Sequence, residues 1–414
     1  MTSRDGTDGV LVLDSDTQCA MSVIRSLGSK HVPITAGGSS RWSLGMFSRY
    51  SDETYVYPDP DSDHTAFVDH LVDHLRRSDY VAVIPATDHS SLILSRYKER
   101  IERTGTTVAV EDWETFDRAF DKGKLADALA SIDVPTPETH SPADMNDVAA
   151  IADEIEYPAL VKPRCKSHLH DTGYTVTLVG DENYVHSPEE LRRTYRRLSR
   201  EQDYAEARYP LVQEYVPGTT TTTVALADGG DVLAYFQEER LRTYPASGGN
   251  SALLAAVREP TMLEYTERVL DRLDWTGPVM VEFMRTPDGE FYVIEVNGRY
   301  WGSLPFAVES GVDIPWFHYL LLRGLDPSPL IDVGAYRTDV LQRRLLYEDI
   351  KWLGEHLASG RPGAVVPFVR SFGTTRHTFV SLDDPVPTAG ALLQGAYLAA
   401  ESIRQRVLPG ESQS

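Results

Sequence analysis

The stretch Gly277-Pro-Val-Met-Val-Glu282-Phe-Met-Arg-Thr-Pro-Asp288-Gly289-Glu-Phe-Tyr-Val-Ile-Glu295-Val-Asn297 reads as two β-strands joined by a tight turn. Apolar and polar residues alternate on both sides, and Asp288-Gly289 is a two-residue type I′ turn signal. With those two residues as the loop, pairing runs from 287 with 290 backwards and sets Glu282 directly opposite Glu295. Asn297 lies two residues further along the same face, with Met280, Met284 and Val293 expected beside it. Two carboxylates with Cβ atoms about 5 Å apart repel by roughly 3 kcal/mol at an effective dielectric of about 20. Such a pair calls for a cation or a shared proton. Two carboxylates and an amide oxygen are hard ligands, suited to Mg2+ (or Mn2+) whose shell phosphate oxygens complete. The alternative is a hairpin with two solvated glutamates on its outer face.

Working outward, the first hundred residues alternate strand and helix signals. Strands are expected at Val10–Leu13, His31–Ala36, Tyr80–Ile84 and Thr107–Val110, with helices through Ala20–Leu27, Phe67–Leu75 and Ser91–Ile101. That alternation argues a parallel, doubly wound α/β sheet, whose ligands sit at the carboxyl ends of the strands. The first loop, Asp14-Ser15-Asp16-Thr17-Gln18, lacks the glycines of a dinucleotide fingerprint, so NAD binding is disfavoured. From Asp112 the texture changes: one helix over Trp113–Ser131, a break at Val134-Pro135-Thr136-Pro137, then strands at Ala159–Lys162, Tyr174–Leu178 and Leu211–Val216. Val224–Arg240 reads as a β-meander turning at Asp228-Gly229-Gly230-Asp231, and the last eighty residues as helices and irregular turns. Three units follow: 1–111, Rossmann-like; 112–330, two-lobed, with the small lobe inside 112–216 and the large lobe over 217–330; and 331–414, a helical or irregular extension.

Composition bounds the setting. The chain carries 62 acidic against 40 basic residues, a net charge of −22. Only seven of the bases are lysines. Acid excess with scarce lysine resembles proteins of salt-in halophiles, and a halophilic archaeal source is expected; an ordinary acidic protein is the alternative. At molar salt the screening length falls to about 3 Å, so a surface of one sign does not repel itself apart. The same surface repels phosphate backbones, which disfavours nucleic-acid partners. Two cysteines build no disulfide framework, and no apolar run of membrane-spanning length occurs. A cytoplasmic protein with no membrane partner is expected.

The hairpin and its surroundings resemble the ATP-grasp superfamily. Its Glu…Glu-x-Asn-x-Arg signature is matched by Glu282, Glu295, Asn297 and Arg299. The resemblance covers roughly Asp112–Leu325 and implies an N-terminal half-Rossmann domain ahead of a two-lobed ATP-grasp fold. It implies that the acidic pair and Asn297 hold Mg2+ on the phosphates of ATP, while Arg299 neutralises a phosphate. Phe120-Asp121-Lys122 followed by Val134-Pro135-Thr136-Pro137 is similar to the family's first lysine segment, and Tyr157-Pro158-Ala159-Leu160-Val161-Lys162 to its second. Lys122 and Lys162 are thus the expected phosphate lysines. Gln213-Glu214-Tyr215-Val216-Pro217-Gly218 resembles the hinge that holds adenine, through Glu214, Tyr215 and Val216. Two stretches depart from the pattern. The loop from Arg164 to Gly173 has one glycine where the family uses several, and the acidic ribose contact after Gly218 is replaced within Thr219–Thr223. His168 and His170 in that loop invite a metal reading, though loop histidines are usually solvated.

Between hinge and hairpin, Arg240-Leu-Arg242 followed by Gly248-Gly249-Asn250-Ser251 resembles a group of ATP-grasp carboxylate–amine ligases and carboligases. Either arginine offers a planar fork for a carboxylate or the γ-phosphate, and Asn250 and Ser251 would line the acceptor site. Arg240, Arg242 and Arg299 are therefore the expected catalytic cations. The expected reaction activates a small-molecule carboxylate as an acyl-phosphate and joins it to an amine. An ATP-grasp kinase, a bicarbonate-using carboxylase and a catalytically silent nucleotide-binding protein remain as alternatives. A homodimer is allowed by the resemblance, and in the first domain Asp16, Thr87 and Asp88 stand where an acceptor would sit.

Overall fold

The computed structural model describes residues 9–169, 173–177, 179–201, 209–245, 250–344, 348–373, 375–377 and 380–393. The N-terminal sheet orders five parallel strands as β3-β2-β1-β4-β5: β1 Val10–Val12, β2 Ile34–Gly38, β3 Glu53–Val56, β4 Ala82–Ile84 and β5 Thr107–Val108. Strand β3, with only Tyr55 buried, carries too weak an alternation to be read in advance. Strand order reverses between β1 and β4, so the loops Asp14–Thr17 and Ala86–Asp88 face a common crevice. Asp14 ties them together: its Oδ2 accepts from the Ala86 amide at 3.1 Å and the Thr87 hydroxyl at 3.1 Å.

The expected single helix over 113–131 is two helices, Trp113–Phe120 and Lys122–Leu129. Asp121 is extended and starts the second, its carboxylate accepting from the amides of Gly123 and Lys124. An Asx-type cap competes with helix continuation, and that competition sets Lys122 at the first turn of a new helix.

A four-stranded antiparallel sheet follows, ordered β10-β7-β11-β6, from β6 Thr139–His140, β7 Ala159–Lys162, β10 Tyr184–Val185 and β11 Leu211–Glu214. Beside it lies the hairpin β8 Ser167–Leu169 with β9 Tyr174–Val176. This small lobe has a core of its own, including Val148, Val161, Val185, Leu191 and Val212. The first domain and the large lobe share one core instead. Helix Gln18–Gly28 packs on helices Leu304–Ser310 and Ile314–Leu322, and Ile24, Leu27, Trp301, Phe306 and Ile314 lie in one buried cluster.

The large lobe is a seven-stranded sheet, β16-β15-β12-β13-β14-β17-β18. Its strands are β12 Thr219–Asp228, β13 Asp231–Tyr244, β14 Asn250–Val257, β15 Gly277–Arg285, β16 Phe291–Asn297, β17 Leu341–Arg343 and β18 Thr375–His377. The stretch beyond 330, expected to be helical or irregular, thus supplies two strands to the sheet. Their three-residue length gives no periodicity to read. The β12–β13 turn has Gly229 and Gly230 at φ of 56° and 86°, the left-handed conformation that glycine allows. No helix among the described residues is long and apolar enough to cross a membrane.

Candidate functional site

Glu282 does face Glu295 across β15 and β16, but by another route than the two-residue turn. The loop is Pro287-Asp288-Gly289, closed by Thr286 and Glu290, with Gly289 at φ 94°. That shifts the register of Arg285, Met284 and Phe283 by one, onto Phe291, Tyr292 and Val293. A bulge at Ile294 then restores it, so Glu282 meets Glu295 again. The bulge also corrects the expected neighbours. Val293 pairs with Phe283 and turns into the core on the opposite face, with 3% exposure, and Tyr292 takes the place beside Met284.

The acidic pair is compensated by side chains rather than left bare. Glu282 Oε2 accepts from Arg240 Nη2 at 2.9 Å and its Oε1 from Asn297 Nδ2 at 3.2 Å. Lys122 Nζ stands 3.6 Å from Glu295 Oε1. Burial pushes the Glu295 carboxyl up, but Lys122, Lys166 and Lys162 together hold it below the usual range. Lys162, ending β7, donates to Gln213 Oε1 at 2.7 Å. Burial and then the nearby Lys122 push its pKa down to about 8, against the pull of Glu295 and Glu282. Residues from the second helix of the second unit, the small-lobe sheet and the large sheet therefore converge on one point.

Arg299 forks onto Asp88, with Nη2 2.9 Å from Oδ2 and Nε on Oδ1, and Lys166 Nζ reaches the same carboxylate at 3.2 Å. Burial opposes charge on Asp88, yet Arg299 and Lys166 hold its pKa far below the usual range. The site is thereby tied to the crevice of the first domain, where a cavity of about 410 Å3 is lined by Asp14, Asp16, Thr87, Asp88, His89 and Lys166. The loop after Lys162 holds two cations against acidic partners. Arg164 pairs with Asp121 at 3.4 Å and Lys166 with Asp88. His170 lies outside the described residues.

Arg240 and Arg242 part company. A bulge at Leu241, 48% exposed, lets Arg240 pair with Leu254 but Arg242 with Leu253, so the two side chains leave opposite faces of β13. The expectation of two arginines at the site is corrected accordingly. Arg242 Nη1 binds Asp349 Oδ1 at 3.0 Å, Nη2 donates to the Pro367 carbonyl at 2.7 Å, and the guanidinium lies 4.5 Å from the Trp352 ring centroid. At the hinge, the Glu214 amide and carboxylate are both engaged by the backbone of Glu138, at 2.9 and 3.0 Å. Val216 is buried, and Tyr215 meets Tyr184 edge-on with centroids 5.7 Å apart. Residues 246–249 and the Asn250 side chain lie outside the described residues, so the Gly248-Gly249 expectation is not placed; Ser251 pairs with Thr243.

Among the described residues, no group of three or more His, Cys, Asp or Glu is arranged to hold a metal. The set here is two carboxylates and an amide, which fits a hard cation only when phosphate oxygens supply the rest. Reading the sequence missed Gln213, Glu238 and Ser303. Of these only Glu238 left a trace, as an acidic residue inside the stretch that reads as a β-meander.

Comparison with known proteins adds three findings. Residues 191–303 match the family described as ATP-grasp domain. The chain is 26% identical over 290 residues to the C-terminal section of the carbamoyl phosphate synthase large chain of Methanopyrus kandleri, covering 65% of this chain. It spans about half of that relative, 51% of its length. In fold, it is similar to the biotin carboxylase domain of the Hydrogenobacter thermophilus 2-oxoglutarate carboxylase, a dimer in complex with MgADP, ADP and bicarbonate (TM-score 0.63, 20% identity, covering 81% of this chain and 73% of that one). It is also similar to the L-amino acid ligase of Bacillus licheniformis (TM-score 0.60, 15% identity, covering 82% and 79%). Domain match and fold agree: this chain is built on the ATP-grasp fold, and its residues 191–303 match an ATP-grasp domain.

Proposed function

We propose that the protein is an ATP-dependent ligase that activates a small-molecule carboxylate as an acyl-phosphate and joins it to an amine, releasing ADP and phosphate. The observation that carries this reading is the meeting of Lys122, Lys162, Glu282 and Glu295 at one point, with Arg299 at its edge. In this reading residues 1–111 wall the acceptor side, 112–216 include the lobe that closes over nucleotide, and 217–330 form the floor. The Glu214 carbonyl and Val216 amide would hold adenine, with Tyr215 at the hinge, and Lys122 and Lys162 the phosphates.

Glu282, Glu295 and Asn297 would hold Mg2+, which when bound neutralises triphosphate charge and helps align the γ-phosphate. Arg240 and Lys122, the present partners of the two glutamates, are then freed for anionic substrate. The substrate carboxylate attacks the γ-phosphorus, the bond to the bridging oxygen breaks, and ADP leaves. The amine then attacks the acyl carbon, and phosphate leaves. Catalysis of this kind rests on positioning and electrostatics, with closure excluding water. The test is a screen of amino acids and small carboxylic acids in molar KCl, reading ADP, phosphate and product mass. An amide product with ADP is expected. A phosphoester would instead identify a kinase, and bicarbonate-dependent turnover a carboxylase.

A further inference from the structure

Glu238, on β13, is 4% exposed. Strand pairing runs Glu238–Thr222–Glu282–Glu295 across four neighbouring strands, so its side chain shares the face of the acidic pair. Its Oε1 accepts from the Ser303 hydroxyl at 2.5 Å. Its Oε2 is buried and, among the described residues, has no hydrogen-bond partner. Ser303 stands at the N-cap of helix Leu304–Ser310, where a serine hydroxyl ordinarily accepts from the helix backbone; here it makes no such bond and turns to Glu238. Arg240, two residues along and on the same face, gives Nη2 to Glu282. A buried carboxylate oxygen without a partner destabilises the fold, and such a group is retained where a proton or a ligand visits it.

Resting on the ligase reading above, we propose that Glu238 is the general base that accepts the proton of the incoming amine. One strand, β12, lies between it and Glu282, so the two residues stand two strand spacings apart, roughly 10 Å, on one face of the sheet. In the step, the amine nitrogen bonds to the acyl carbon and the carbon–oxygen bond to phosphate breaks, its electron pair leaving on phosphate. The N–H proton passes to Oε2 of Glu238. Burial raises this carboxyl to about 7, with Ser303 and Arg240 lowering it and Glu282 raising it. Thr222 and Ala256, the flanking pairs on β12 and β14, carry no charge. A base titrating near the working pH is the efficient one.

The experiment uses the full chain with MgATP in molar KCl and a mixture of the twenty proteinogenic L-amino acids. Amide product is measured alongside hydroxamate formed when hydroxylamine, a nucleophile already unprotonated near neutrality, replaces the amine. Glu238→Gln is expected to lose amide formation by about 100-fold and hydroxamate formation by no more than about threefold. Wild-type amide formation should fall below pH about 7, with that limb lost in the variant. Ser303→Ala, which removes a bond that lowers the carboxyl pKa, should move the limb to higher pH. Equal loss of amide and hydroxamate in Glu238→Gln, or amide formation within about threefold of wild type, overturns the assignment. Absence of hydroxamate from the wild type itself would sink the ligase reading, and the base with it.

Discussion

Arg240 and Arg242 sit two residues apart on one strand and show two uses of charge, half-buried in the first and buried in the second. On one face of β13, Arg240 donates to Glu282 in an acidic row (Glu238, Glu282, Glu295), and the Oε2 of Glu238 has no hydrogen-bond partner among the described residues. On the opposite face of β13, Arg242 and Arg343 share the carboxylate of Asp349, which is fully buried, and Arg343 lies 4.2 and 4.0 Å from the ring centroids of Phe368 and Phe372. There the charge is spent on docking the C-terminal stretch. The difference teaches that burial alone does not mark a site. What marks it is buried charge left for a ligand to complete.

Breaking each side separately tests this. The largest effect is expected at Glu295→Gln, with ADP formation down by about 1000-fold or more and the thermal transition unmoved, since a phosphate-bound metal would lose a ligand. Asp349→Ala should do the reverse. Two buried arginines lose their counter-charge, and denaturant titration should show about 3–5 kcal/mol of lost stability. The adjacent pair then sharpens the contrast. Arg240→Met is expected to slow ADP release about 100-fold with little loss of stability, while Arg242→Met should lower stability and leave the KM for ATP in place.

A smaller effect concerns pH. Lys162 is charged below about 8 and neutral above, against an ordinary 10.5. Its phosphate contact should therefore weaken as pH rises through 8, raising the Kd for ATP by roughly tenfold, the worth of one charge-assisted bond. Stability moves the other way. The unfolded chain holds this proton up to about 10.5, so the cost of burying the charge, full below 8, fades between 8 and 10.5. Isothermal titration at two pH values with a Lys162→Met control checks the binding half; a pH-independent Kd would remove Lys162 from the phosphate site.

How the site emerged is instructive in its particulars. Lys122 was legible as a family position, but its place at a helix start depends on Asp121 capping the amides of Gly123 and Lys124, which an unbroken helical pattern concealed. Glu282 opposite Glu295 was legible too, yet only because two register errors cancel, a three-residue loop and the Ile294 bulge. Asp88 stood out by its place after β4; its partnership with Arg299, 211 residues away, did not. β17 and β18 were invisible, since three-residue strands owe their pairing to the sheet edge they join.

Local sequence determined the alternation of strands and helices, the turns at Gly229-Gly230 and Gly289, and the identities of the lysines and carboxylates. Periodicity and φ preference act within a few residues, so they can be read directly. Tertiary structure decided which face each charge takes. A single bulged residue, Leu241 or Ile294, reverses the alternation beyond it, and whether a bulge forms depends on strands paired from far along the chain.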